Sequence, residues 1–133
     1  MAFYKKIQQK INGKWYPQAV TAAGTMTTDE VAERLSEMST LTPGDAYAVL
    51  KNLAHVLTEG MSAGRAVKLD GLGTFRYTCV ARGEGVDSPE EVNPSQITGI
   101  HIRFTPERSY GAGRQCHRKL VDGSIQWIEW GGL

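Results

Sequence analysis

The hydrophobic period of this chain changes at Gly64, and that change does most to limit its fold. Before it, Tyr47, Leu50, Leu53/Ala54, Leu57 and Met61 recur at the spacing of one helix face. After it, Val67-Lys68-Leu69-Asp70 alternates, Gly71-Leu72-Gly73 interrupts, and Thr74 to Val80 is rich in strand formers. Ile100-His101-Ile102-Arg103-Phe104 alternates again. A helical block followed by strands predicts an α+β fold, in which helices and sheet each cover the other's apolar side.

Two start signals place the helices. Thr27 and Glu30 stand at capping-box spacing, and Asp29 and Glu30 favour the positive end of a helix over 28–39 that carries Val31, Leu35 and Met38. Thr42-Pro43-Gly44-Asp45 opens a second helix over 43–61, with Thr as cap and Pro at the first position. The short link between them predicts a helical hairpin. Residues 1–24 read as strand, turn, strand. Asn12-Gly13 suits a two-residue hairpin turn, and Pro17 puts the second strand at a sheet edge. Gly83 to Asn93 is polar and acidic, and Pro89 and Pro94 oppose a continuous ladder. Residues 107–119 are basic and irregular, with room for a short helix, and Ile125 to Trp130 makes a last short strand.

A length of 133 residues suits one domain with a moderate core. Cys79 and Cys116 are too few for a disulfide framework, and no apolar run approaches the roughly 20 residues that cross a bilayer. The expectation is a soluble, cytoplasmic domain without a membrane partner. Fifteen Lys/Arg against fourteen Asp/Glu give a net +1, which excludes a uniformly basic coat. The charge is segregated, however. Residues 1–24 hold Lys5, Lys6, Lys10 and Lys14 without an acid, and 64–83 hold Arg65, Lys68, Arg76 and Arg82 against Asp70. Between 84 and 91 stand Glu84, Asp87, Glu90 and Glu91 and no base. Such blocks point weakly to a side that faces a polyanion.

Signatures of catalysis and of cofactors fail. Gly71-Leu72-Gly73 is followed by Arg76 where a dinucleotide fingerprint needs glycine, and no P-loop is present. His55, His101 and His117 have no zinc-ligand spacing with the cysteines, and no nucleophile elbow frames a serine. His55 reads as a partly exposed helix residue and Cys79 as a small buried apolar group. No enzyme, cofactor, metal or small-molecule substrate is expected.

The phrase Gly71-Leu72-Gly73-Thr74-Phe75, placed directly after a helical pair, resembles the HU/IHF family of DNA-bending proteins. A second phrase agrees. Ile100-His101-Ile102 is followed, after Arg103 to Ser109, by Tyr110-Gly111-Ala112-Gly113-Arg114, similar to the family's aromatic-basic-x-Gly-basic run. The resemblance covers residues 27–120. The hairpin at 1–24 and the strand at 121–133 look like extensions found in a longer HU-related subgroup of a single HU-like domain over 1–133.

The resemblance implies a homodimer, a small antiparallel β-sheet and a protruding β-arm running from about Val80 to Gly99. The arm would reach into the minor groove of double-stranded DNA in the nucleoid, where phosphates are neutralised by Lys and Arg and an apolar wedge kinks the duplex. Asn93-Pro94 is similar to the family's Asn-Pro at the arm tip, and Thr98-Gly99 to the Thr-Gly after it. DNA-binding residues expected on this basis are Lys68, Arg76, Arg82, Asn93, Pro94, Arg103, Arg108 and Arg114. The acids at 84–91 depart from a family arm rich in arginine. They leave a rival reading, an HU-derived protein-interaction or assembly module, to which Trp15, Tyr16, Trp127 and Trp130 would lend a protein-facing edge.

Overall fold

The computed structural model describes residues 1–110, 116–118 and 120–131. The element order is β1 (Ala2–Gln8), β2 (Trp15–Val20), α1 (Thr28–Glu37), α2 (Pro43–Ser62), β3 (Val67–Leu69), β4 (Gly73–Ala81) and β5 (Ile97–Pro106). It ends with β6 (Arg108–Tyr110), β7 (Cys116–Arg118) and β8 (Trp127–Glu129). Two helices and mainly antiparallel sheets make the fold α+β, as the change of period predicts. The chain divides into two compact units, residues 1–47 with 122–133, and residues 48–121.

In the first unit, β1 and β2 form the expected antiparallel hairpin, and β8 pairs parallel to β1, giving the order β2-β1-β8. Pro17 lies on the edge strand, as its missing N–H requires. The connection is longer than a two-residue turn. The Gln9 N–H donates to Lys14 O at 2.9 Å, so Lys10 to Gly13 form a four-residue loop. Asn12 orders that loop by accepting from the Lys14 N–H at 3.0 Å, and Gly13 supplies a φ of 68°. Asp122 sets the approach to β8 by accepting from Ser124 Oγ (2.6 Å) and the Ser124 N–H (3.0 Å), which holds its carboxyl below the usual range. Helix α1 starts as its capping residues dictate: Thr27 Oγ1 accepts from the Glu30 N–H at 3.3 Å, and Ala32 is buried.

In the second unit, the apolar stripe of α2 half-buries Leu50, Leu53 and Leu57 and buries Met61. A Cβ on Gly60 would lie 2.6 Å from Val67 Cγ2, so the glycine permits the close approach of helix and β3. The sheet has the order β3-β4-β5, entirely antiparallel, with Val67 opposite Phe75 and Phe75 opposite Phe104. The two phenyl rings pack at a centroid distance of 4.8 Å. Gly73 is buried at φ 154°, where a Cβ would overlap the Thr105 carbonyl oxygen. The Gly-Leu-Gly turn is pinned at its other end by the Glu107 N–H, which donates to Leu72 O at 2.9 Å.

Besides the hairpin loop, three local expectations need correction. The stretch after 107 holds no helix among the described residues; β6 and β7 pair antiparallel instead, because the alternation around Arg108-Ser109-Tyr110 suits an extended chain. Strand β5 begins at Ile97, not Ile100, and its ladder with β4 continues to Ala81 through a bulge at Thr98. Cys79 is exposed rather than buried: it lies toward the arm end of β4, opposite Ile100, which is itself 65% exposed.

Candidate nucleic-acid interface

Period-two alternation sorts the β3-β4-β5 sheet into two unlike faces. Val67, Leu69, Phe75, Tyr77, Cys79, Ile100, Ile102 and Phe104 share one face by register. Lys68, Thr74, Arg76, Thr78, His101, Arg103 and Thr105 share the other. Arg76 and Arg103 are direct cross-strand partners in the middle of this polar face. Like charges placed opposite one another cost about 0.2–1 kcal/mol in a sheet. Lys6–Glu129, Arg34–Glu37 and His55–Glu59 are ion pairs among the described residues, and none of these involves Lys68, Arg76, Arg82, Arg103 or Arg108. Both arginines are exposed. A polyanion laid along this face would convert their mutual repulsion into two attractive contacts.

Lys68 and Arg108 meet at the sheet's other end. Together with Thr74, Thr105 and Glu107 they line an open cleft of about 420 Å³. Two cations and two hydroxyls there can accept a phosphate, with Glu107 occupied in part by the Gly71 N–H. The structure thus brings Lys68, Arg76, Arg103 and Arg108 into one sheet and its continuation. Arg82 lies one residue past the last ladder pair, Ala81–Ile97. Arg114 lies outside the described residues.

The tip of the excursion is built by two proline-headed 3-10 turns, Pro89–Glu91 and Pro94–Gln96. Asn93 caps the second: its side-chain oxygen accepts from the Ser95 N–H at 3.0 Å, and the Gln96 side chain accepts from the Asn93 N–H at 3.0 Å. Asn93 is therefore committed to shaping the turn, and the turn holds Pro94 exposed. Val92 beside it is 65% exposed, an apolar group at the tip that sequence reasoning passed over. The first turn presents Glu90 and Glu91 instead, so the acids of the excursion are gathered ahead of Pro94. Its signal, Ser88 before Pro89 with acids following, has the composition of a helix start.

The aromatic residues of the extensions separate by face. Trp130 packs edge-on against Phe3 at 5.9 Å, while Trp15 and Trp127 remain 64% and 53% exposed. His55 is exposed and paired with Glu59 at 2.9 Å one helical turn away. Among the described residues no group of His, Cys, Asp and Glu could hold a metal ion, and no helix is long and apolar enough to cross a membrane.

Comparison with known proteins agrees with the two-helix and sheet order. Among curated proteins none matches. A candidate DNA-binding protein of known structure from Bacteroides vulgatus superposes with a TM-score of 0.52 at 13% identity, over 77% of this chain and 41% of its own. The chain therefore spans less than half the length of that protein. HU of Anabaena, solved in a cocrystal with DNA, gives a TM-score of 0.43 at 23% identity, over 60% of this chain and 85% of its own. The model of the HU-HIG family, described as an HU domain fused to wHTH, Ig, or glycine-rich motif, matches residues 2–115. By that match, which runs nearly its whole length, the chain belongs to the HU-HIG family, whose common part is an HU domain.

Proposed function

We propose that this chain binds double-stranded DNA with little sequence preference and bends it, as a homodimer in the bacterial nucleoid, without enzymatic activity. The observation that carries the reading is the unpaired Arg76–Arg103 couple on the polar face of the sheet, extended by Lys68 and Arg108. Contacts of this kind go to phosphates, which position a protein on the duplex without reading sequence. Pro94, held out by the Asn93 cap, is the group that would enter between base steps and kink the duplex, with Val92 beside it.

The dimer is supported by surface that a lone chain leaves uncovered. Among the described residues the buried apolar side chains are Ala32, Ala46 and Met61. Ile100 and Ile102 on the apolar sheet face are 65% and 66% exposed, and Val49 and Val56 repeat at heptad spacing on α2 with half their surface free.

The acidic turn at Pro89–Glu91 favours a second reading, an HU-derived assembly module with weak DNA affinity. Mobility shifts on a short duplex across a salt series separate the two. Micromolar binding that falls steeply with salt supports the DNA reading, and no shift at about 50 mM salt sinks it.

A further inference from the structure

The face of the β2-β1-β8 sheet that bears Tyr4 has no part in the duplex reading, and it is an unusual surface for a chain of this size. Tyr4, Lys6, Trp15, Tyr16, Pro17 and Trp127 line an open cleft of about 650 Å³. The register explains why the rings gather. Trp15 is paired with Gln8, and Trp127 with Ala2, so both lie on the side of β1 that carries Tyr4 and Lys6. The Lys6–Glu129 ion pair at 3.2 Å ties β8 to β1 across this same side. The opposite side holds the Phe3–Trp130 contact, so packing of the extension accounts for Trp130 and leaves Trp15 and Trp127 unexplained.

We infer that this cleft is a stacking platform for an unpaired, single-stranded stretch of nucleic acid. Three features select that occupant. The tryptophans pair with positions six residues apart on β1, roughly 20 Å along the strand, which suits a succession of flat groups better than one small ligand. The rings are exposed and able to stack, and base–aromatic stacking tolerates any base. The hairpin supplies charge of the matching sign at the Trp15 end, where Lys10 and Lys14 stand at the loop; Lys6 on the same face is paired with Glu129, and Lys5 alternates to the opposite face. That same charge sets two copies of the hairpin against each other, so a second chain is the wrong partner for this face.

The test uses the full chain and tryptophan fluorescence, titrated with dT12 and, separately, with U12. Saturable quenching that weakens with salt is expected with dT12, and the U12 arm shows whether the sugar matters. Trp15→Ala and Trp127→Ala should each weaken binding about fivefold to a hundredfold, while Trp130→Phe should leave it near the native value. Because Trp15 and Trp127 are largely exposed, both variants should retain the native circular dichroism. An Arg76→Gln/Arg103→Gln variant, run alongside, should keep its oligonucleotide affinity even where duplex binding is lost, so the two readings fail separately. Absence of saturable quenching by either oligonucleotide would overturn the inference. So would retention of native affinity by the Trp15→Ala and Trp127→Ala variants, or quenching by a proline-rich peptide or anionic vesicles in place of oligonucleotide.

Discussion

Replacing Arg76 and Arg103 together by glutamine tests the duplex interface through two readouts that must move in opposite directions. Each chain offers Lys68, Arg76, Arg103 and Arg108 outside the ion pairs of the described residues, so a dimer offers twice that set. If every one neutralises a phosphate, the slope of log K against log salt is about −7, and the double variant halves it to about −3.6. Between about 50 and 200 mM salt the native chain should then lose roughly ten-thousandfold in affinity and the variant roughly a hundredfold. The fold should not suffer. Removing the cross-strand repulsion returns about 0.2–1 kcal/mol, which raises Tm by up to about 4 °C. Fluorescence anisotropy on a labelled duplex across salt gives the slope, and circular dichroism gives Tm. An unchanged slope with binding intact would refute the assignment of this face, and a lower Tm would refute the claim that the arginines stand unneutralised.

Other substitutions report on the remaining parts. Gly73→Ala should destabilise the second unit by about 2 kcal/mol or more, since the methyl meets the Thr105 carbonyl at a φ that L residues avoid; thermal melts measure it. Thr27→Ala should cost about 1 kcal/mol by removing the acceptor for the Glu30 N–H, read by urea unfolding. Ile102→Glu should shift the chain toward monomer in sedimentation velocity without unfolding the monomer sheet, because that side chain is 66% exposed in the single chain. Pro94→Ala should leave affinity within a few-fold yet lessen the duplex bend, as end-to-end fluorescence transfer would show.

The parts of the fold legible in the sequence are those governed by local chemistry. Thr27 and Thr42 mark both helix starts because a capping hydroxyl acts within three residues, and the Asp45 N–H indeed donates to Thr42 Oγ1 at 3.1 Å. Pro17 marks an edge because its missing donor is a property of the residue alone. What escaped depended on partners far along the chain. Pairing of β8 with β1 joins segments more than a hundred residues apart, and nothing in Trp127-Ile128-Glu129 names its neighbour. The division of Trp15 and Trp127 from Trp130 follows from that pairing and so was equally hidden. For the interface, residue types pointed to Arg76 and Arg103 singly, but their direct opposition needed the register. The Asn93-Pro94 turn was recognisable as a phrase, whereas the extra turn at Pro89 was concealed in a stretch that reads simply as acidic.

The parallel union of β1 with β8 has a mechanical meaning. The Ala2 N–H donates to Gln126 O at 2.9 Å and the Trp130 N–H to Tyr4 O at 2.8 Å, so the two strands enter the sheet side by side and run the same way. A pull on the leading end of β1 and the trailing end of β8 slides the strands lengthwise past each other. Their bonds are then loaded in shear, all at once, rather than peeled open one after another. Tension between attachments at the two ends of this chain would therefore meet its first resistance in a short clasp of backbone bonds, braced by Lys6 and Glu129.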